Sequence, residues 1–259
     1  MSAIGTARGR WRRRAAALAV GLGLLASPAQ AADLLGCSFD SADELVRLAR
    51  GDGARVLDHR GGFVAGLERY YGPPMKVEDL PRHLIDALVV SEDRRFFEHS
   101  GVDYRALGRA VLANLAAFDI VQGGSTLTQQ TLENACFRRD SELLRKIKEL
   151  AAAGSFEAVL AKREILYVYL NTIYSGCRAY GVQAAARVYF DKYAQALTPL
   201  EPALLVRLIP APNHYNPQAN PRKALKRAGR LLDRMAALGF LSKTAAAKAK
   251  REKPAVQRS

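Results

Sequence analysis

Cysteine is scarce in this chain, and so are long apolar runs. Three of the 259 residues are cysteines, Cys37, Cys136 and Cys177, which excludes a small disulfide-dense scaffold. One pair could close and leave one thiol, and the sequence does not choose among the three pairings. The cysteines have no zinc-type spacing. The apolar run at residues 15–26 is twelve residues long, too short to span a bilayer comfortably.

Acidic residues are too few to balance the basic ones. The chain has 25 acidic and 39 basic side chains, a formal net charge of +14, and 49% apolar residues. This composition excludes an intrinsically disordered chain, and the length allows one well-buried core with a small second lobe. From Arg222 onward, twelve Lys or Arg accompany two acids. We expect a solvated helix face there and a loose tail over the last ten residues.

The N-terminal segment has the pattern of a secretion signal. Five arginines between positions 8 and 14 precede the apolar run, and small residues follow up to position 31 or 32. This predicts a cleaved signal peptide over residues 1–31, with an uncleaved anchor as the alternative. A lipoprotein at Cys37 is a weaker alternative, because Asp33 separates that cysteine from the apolar run. The cleaved chain would keep a net charge of +9, which favours anionic phospholipid and envelope substrates over nucleic acid.

Helical periodicity dominates the rest of the chain. Residues 52–66 suggest a short hairpin that turns at Gly61–Gly62. Residues 210–221, "PAPNHYNPQANP", predict an irregular connection, and no internal repeat is present. The apolar spacing and helix-start signals predict helices at about residues 81–98, 104–118, 125–137, 141–160, 162–171, 180–189, 199–208 and 221–238.

A carboxylate lies on the inward face of the first of these long helices. Val89, Glu92 and Phe96 recur at a spacing that places them on one side of a helix. Burial would raise the pKa of the Glu92 carboxyl and suit it to accept or donate a proton. The alternative is a surface ion pair between Glu92 and Arg94 or Arg95.

A second carboxylate, Glu149, shares a helix face with Arg145 and Lys146 in "RKIKE". One interpretation is an exposed ion pair, worth about a few tenths of a kcal/mol. The other is a basic cluster with one acid, suited to a phosphate and a divalent cation.

Five blocks of sequence together resemble the family 51 peptidoglycan glycosyltransferases. The blocks occur in the family's order within about residues 80–241, and they read "SEDRRFFEHSGVD", "GGSTLTQQTLEN", "RKIKE", "KREILYVYLNTIYSGCRAYGVQAAARVYF" and "EPALLVRLIPAPNHYNP". The Ser-x-x-Lys motif of a transpeptidase domain is not seen, so the chain resembles the monofunctional transglycosylases.

The resemblance implies a mostly α, lysozyme-like, two-lobed helical glycosyltransferase fold with a small membrane-facing jaw and a cleft between the lobes. The jaw would come from residues 103–123, for which a plain core helix is the competing interpretation. The implied organisation is a signal peptide at 1–31, a lead segment with a hairpin at 32–79, the glycosyltransferase domain at 80–241 and a basic tail at 242–259.

The activity implied by the resemblance is polymerisation of lipid II into β-1,4 glycan strands. The donor anomeric carbon inverts and undecaprenyl pyrophosphate leaves. Glu92 would be the base, and Glu149 would hold a divalent cation (Mg or Mn) or orient the pyrophosphate; no organic cofactor is implied. The implied partners are lipid II, the growing glycan chain, the membrane surface and cell-wall assembly proteins, with no nucleic acid. The implied location is the periplasmic face of the inner membrane.

The resemblance also assigns residues around these two acids. The substrate-binding positions would be Asp93, Ser125, Thr126, Gln129, Gln130, Asn134, Arg145 and Lys146. The cleft-shaping positions would be Phe96, His99, Gly101, Tyr169, Asn171, Gly176 and Gly181. For Ser125 the competing interpretation is a helix cap. Because the blocks that hold Cys136 and Cys177 border one cleft in the family, the resemblance suggests a disulfide between these two residues.

Position 133 departs from the family pattern, in which a lysine there helps to bind phosphate. Here Glu133 would repel a pyrophosphate unless Arg138 or Arg139 substitutes, or unless the acid binds a metal. If Glu133 merely replaces the lysine, Glu133→Lys should strengthen pyrophosphate binding. A catalytically weak or inactive relative that binds lipid II or an assembly partner is therefore the alternative function. A lysozyme-like hydrolase fits the basic block less well.

Overall fold

The computed structural model of the chain describes residues 39, 41–50, 54–57, 63–67, 69–117, 123–137 and 141–257. The predicted signal peptide, Cys37, the turn at Gly61–Gly62, and Arg138 and Arg139 lie outside these described residues.

The described chain is mostly helical, which confirms the predicted fold class. Its α-helices are α1 (Ala42–Arg50), α2 (Arg82–Glu92), α3 (Tyr104–Ala117), α4 (Leu127–Ala135), α5 (Glu142–Val159), α6 (Lys162–Thr172), α7 (Val182–Phe190), α8 (Leu200–Leu208), α9 (Pro221–Ala237) and α10 (Lys243–Arg251). Single 3₁₀ turns occur at Val77–Asp79, Phe96–Glu98 and Ala194–Ala196.

Four short strands accompany the helices in the described part of the chain. Strands β1 (Ala54–Leu57) and β2 (Phe63–Leu67) pair antiparallel, which confirms the predicted hairpin. Strands β3 (Tyr70–Tyr71) and β4 (Ala179–Tyr180) pair in parallel, with Tyr70 opposite Ala179. A parallel pair needs a long crossover, and here more than a hundred residues of chain separate the two strands.

Two differences from the predicted helices bear on the site. Helix α2 ends at Glu92, because Asp93 adopts a φ of −154° and a ψ of 80°, so Phe96 belongs to the following 3₁₀ turn. Helix α10 lies within the predicted basic tail at 242–259, and it extends two residues into the ten C-terminal residues that were predicted to be loose. Its Ser242 caps the first turn by accepting a hydrogen bond from the Ala245 N–H at 3.0 Å, and Ala249 is fully buried.

The chain divides into two compact units that alternate along the sequence. The first unit comprises residues 1–49 and 95–168, and the second comprises residues 50–94 and 169–259. In the first unit α4 packs against α5, and in the second α2, α8 and α9 pack against one another. Each unit has its own apolar core, with Phe96, Leu127 and Phe156 fully buried in the first. Burial of such side chains contributes about 1.5–3 kcal/mol each.

Among the residues that the structure describes, none of the helices has the length and apolar composition needed to cross a membrane.

Candidate active site

An ion pair fixes the segment that follows Glu92. Arg95 Nε donates to Asp103 Oδ2 at 2.9 Å, and Arg95 Nη2 contacts the other carboxylate oxygen. Asp103 also accepts from the Ala106 N–H at 2.8 Å, which satisfies a backbone donor at the start of α3. The Arg95 hydrogen bonds lower the pKa of Asp103 to about 2, although burial opposes the shift. Arg95 therefore has a structural partner other than Glu92.

Gly101 brings this segment close to α5. Its φ is +86°, and a Cβ there would lie 2.4 Å from the carbonyl carbon of Ala153, so only glycine fits. The Gly101 carbonyl accepts a hydrogen bond from Thr126 Oγ1 at 2.6 Å. The first and second sequence blocks are thus joined within the first unit.

Thr126 and Gln129 form a reciprocal capping box at the start of α4. The Thr126 hydroxyl accepts from the Gln129 N–H at 3.2 Å, and the Gln129 side chain accepts from the Thr126 N–H at 2.9 Å. Both residues are only 1% exposed. Both side chains therefore serve the scaffold, and their predicted substrate-binding role stays a prediction. The N-cap is Thr126, so Ser125 does not cap this helix.

Ser125 belongs instead to a charged cluster with α5. Lys146 Nζ donates to Ser125 Oγ at 2.6 Å and to Glu149 Oε2 at 2.8 Å. Glu149 is completely buried, and its other oxygen lies 3.6 Å from Arg145 Nε, beyond hydrogen-bond range. Within the described part of the chain, neither this oxygen nor Arg145 Nε makes a hydrogen bond. A buried, unsatisfied pair of this kind is costly and can bond a ligand.

Glu133 enters the same cluster through Arg145. Arg145 Nη1 donates to Glu133 Oε1, and the two side chains are 24% and 36% exposed. Burial raises the pKa of the Glu133 carboxyl, and nearby Glu149 adds to the rise, while Arg145 and Lys146 oppose it. Two acids therefore face two cations, and Glu133 reduces the positive charge that Arg145 could offer a phosphate.

The donor set does not fit a divalent cation. The carboxylate of Glu149 is held by an ammonium and faces a guanidinium, both of which a metal ion would repel. Among the residues that the structure describes, no group of three or more His, Cys, Asp or Glu side chains is placed to hold a metal ion. No chemical step is therefore assigned to the predicted Mg or Mn.

Glu92 lies in the second unit, at the last residue of α2, and is half-buried. Ser91 Oγ donates to Glu92 Oε1 at 2.7 Å. Arg207 Nη1, from α8, donates to Ser91 Oγ at 2.9 Å. The structure thus supports a partly buried acid, as predicted, and gives it neighbours other than the predicted surface arginines.

The fourth block builds the scaffold of the second unit. The Asn171 side chain accepts from the Met75 N–H at 2.8 Å and donates to the Met75 carbonyl at 2.9 Å. Gly181 has a φ of +83°, and a Cβ there would lie 2.9 Å from the Asn171 carbonyl oxygen. Gly176 also has a positive φ, and Tyr169 is fully buried. These positions fix backbone geometry, which agrees with a shaping role.

The remaining predicted residues differ in their exposure. Asp93 and Phe96 are buried, whereas His99, Gln130 and Asn134 are half-buried and keep surface that a ligand could reach. The ring of His99 packs edge-on to Phe96, with ring centroids 6.3 Å apart.

The predicted disulfide between Cys136 and Cys177 is absent from the structure, in which both residues are thiols. The Cys177 thiol is exposed and donates to Gln218 Oε1 at 3.3 Å, while Asn216 Nδ2 donates to its sulfur at 3.3 Å. Its polar contacts are therefore met within the second unit.

Ser91 and Arg207 were not among the site residues predicted from the sequence. Ser91 directly precedes Glu92, where a hydroxyl can reach a carboxylate. Arg207 is the single charge in the last seven residues of the apolar helix "LEPALLVRL", which is a readable signal of a buried polar contact.

Comparison with known proteins gives consistent matches. A sequence model of the family described as transglycosylase matches residues 61–236. Penicillin-binding protein 1A of Aquifex aeolicus is 42% identical over 192 residues, which cover 73% of this chain and 26% of that protein. A Cupriavidus necator protein, provisionally named a transglycosylase, is 44% identical over 164 residues, which cover 63% of this chain and 71% of that protein.

A solved structure also matches, more distantly. Penicillin-binding protein 1A from Haemophilus influenzae gives a TM-score of 0.44 and 22% identity over 80% of this chain and 22% of that one. A likeness this distant carries no weight for the site. The chain spans about a quarter of the length of the penicillin-binding proteins that it matches.

Proposed function

Because the chain belongs to the transglycosylase family, we propose that it is a peptidoglycan glycosyltransferase that polymerises lipid II into β-1,4 glycan strands. The observation that carries the proposal is the charged cluster of the first unit. It joins Ser125 of the second block to Lys146 and Glu149 of the third through hydrogen bonds of 2.6 and 2.8 Å.

Glu92 is the proposed general base. Its carboxylate takes the proton from the attacking sugar hydroxyl as the oxygen forms a bond to the donor's anomeric carbon. The bond from that carbon to the pyrophosphate oxygen breaks on the opposite face, so the configuration inverts. Partial burial and the hydrogen bond from Ser91 support this role, because both restrict the orientation of the carboxylate.

Arg145 and Lys146 are the proposed partners of the pyrophosphate leaving group. The charge that develops on the leaving oxygen is best stabilised by preorganised cations and hydrogen-bond donors. Buried Glu149 holds the Lys146 ammonium at 2.8 Å and lies beside Arg145, so it orients both cations. In this proposal Glu149 acts on the substrate through the two cations and through its own unsatisfied oxygen.

The proposed setting is the membrane surface outside the cytoplasm, where lipid-linked substrate is found. Helix α3 supports it, because Val111, Leu112 and Leu115 are 49%, 69% and 66% exposed and Ala110 is the one residue of this helix counted as buried. An exposed apolar helix face of this kind suits the interface of a bilayer. Interaction with other cell-wall assembly proteins belongs to the same proposal.

The test is turnover of lipid II by the purified chain in detergent or vesicles, with glycan chain length measured on gels. Wild-type protein should give polymer. Glu92→Gln should reduce the rate by roughly 10²–10⁴-fold, the usual contribution of a general base, while lipid II binding persists. Exposed Glu98→Gln is the matched control and should keep wild-type turnover. Binding of lipid II by wild-type protein without any polymer would instead indicate a non-catalytic, precursor-binding protein.

A further inference from the structure

Arg207 is an unusual residue for its helix. The other eight residues of α8 are buried, and Arg207 is the half-buried exception. Placing a guanidinium among apolar neighbours is costly unless its donors are used. One of these donors, Nη1, reaches Ser91 Oγ on α2 at 2.9 Å.

The direction of the hydrogen bonds follows from chemistry alone. A guanidinium has five N–H donors and no acceptor, so Ser91 Oγ must accept from Arg207. A serine hydroxyl has one proton, and that proton is then left for Glu92 Oε1, 2.7 Å away. Without Arg207, a serine near the end of a helix would be able to turn its proton to the carbonyl of the preceding turn. Arg207 thus fixes the rotamer in which the Ser91 hydroxyl donates to the Glu92 carboxylate.

The charges around Arg207 favour the same orientation. Burial lowers the pKa of Arg207, and Arg227 and Arg234 on α9 lower it further, whereas Glu92 opposes them. Arginine stays protonated in proteins despite such shifts. Two cations on α9 therefore repel the Arg207 guanidinium, and the Glu92 carboxylate on α2 attracts it.

We infer that Ser91 and Arg207 are positioning residues for Glu92, in which Arg207 orients the Ser91 hydroxyl and that hydroxyl holds the carboxylate as an anion in one orientation. The inference rests on the proposed function, since it explains how the proposed base is held ionised and oriented. Neither residue touches the substrate in this assignment.

A double-mutant cycle tests the coupling. Ser91→Ala and Arg207→Met should each lower kcat for lipid II about tenfold or more, the loss expected for a hydrogen bond to a charged group. The value of KM should change little. The double variant should be no slower than Ser91→Ala alone, because Arg207 acts through Ser91. Ser91→Thr keeps the hydroxyl and should restore most of the rate. Multiplicative losses in the double variant would overturn the assignment.

A titration tests the same inference without turnover. The carboxyl carbon of Glu92 can be followed by ¹³C NMR against pH, with its signal assigned through Glu92→Gln. Arg207→Met and Ser91→Ala should each raise the midpoint by roughly half a unit to one unit, because each removes an interaction that favours the anion. Arg230→Met, which removes an exposed arginine of α9, should leave it unchanged. An unchanged midpoint in folded Arg207→Met protein would overturn the inference even if the enzyme polymerises lipid II. A shifted midpoint in a protein that makes no polymer would retain the inference and reject the proposed activity.

Discussion

Glu133 occupies a position at which the family resemblance led us to expect a lysine. In the structure its carboxylate accepts a hydrogen bond from Arg145 and lies near Glu149. The sequence could flag Glu133 as unusual but could not name its partner. Arg145 is twelve residues away on another helix, whereas Arg138 and Arg139 are closer along the chain.

The Arg145 contact reverses the effect expected for Glu133→Lys. A lysine there would lose an ion pair and place a like charge beside Arg145, so we expect a loss of about 1–3 kcal/mol of stability and slower turnover. Urea unfolding and the lipid II assay measure the two effects. Glu98→Lys, at an exposed site, serves as the control for the added charge. Faster turnover in folded Glu133→Lys protein would show that the lysine expectation was right.

At the scale of helices, the capping box of α4 holds the polar block in place. Thr126→Ala removes the acceptor for the Gln129 N–H and the donor to the Gly101 carbonyl, so we expect a loss of about 1–2 kcal/mol. Thr126→Ser keeps the hydroxyl and should lose far less. Chemical denaturation of the three proteins gives the comparison, and equal stabilities would show that the box contributes nothing.

Asp103 should make the folding stability of the chain depend on pH in the acidic range. Its folded pKa of about 2 lies below the usual aspartate value of 3.8, so its charge stabilises the folded chain above about pH 4. This contribution is lost as the pH falls from about 4 to 2, and we expect about 1–2 kcal/mol after allowance for solvent screening. The free energy of unfolding of the wild type should exceed that of Asp103→Asn by this amount at pH 7, and the difference should become smaller in acid. A gap that stays constant with pH would contradict the assignment.

The sequence predicted which segments are helical better than where they end. Apolar spacing and helix-start signals placed α3 through α9 within a few residues of their observed ends. The apolar spacing extended the predicted first helix to residue 98, because Phe96 continues the apolar stripe. In the structure the backbone leaves helical geometry at Asp93. The apolar spacing gave no sign that Ala249 would be buried, since the small residues of "TAAAKAK" lie among lysines. The competing interpretation of Ser125 as a helix cap was one residue early, because Ser125 and the observed cap Thr126 are both residue types that favour this position.

At the scale of the whole molecule, the net charge of +14 and the exposed face of α3 should act together. We expect the chain to sediment with vesicles that contain phosphatidylglycerol and to be partly released by high salt, because the electrostatic attraction is screened. A double variant, Leu112→Ser with Leu115→Ser, should bind more weakly at every salt concentration. Equal binding to zwitterionic vesicles would show that charge is not involved.

The alternation of the two units along the sequence has a consequence for gene recombination. Residues 95–168 form one uninterrupted stretch that contains the whole charged cluster with Glu133, whereas Glu92, Ser91 and Arg207 are encoded outside it. Exchanging this stretch with that of a relative would transplant the cluster and leave the proposed base untouched. The second junction falls between Val168 and Tyr169, inside α6, so a working chimera must join two half-helices in phase. Such chimeras would separate the properties that depend on the charged cluster from those that depend on the proposed base.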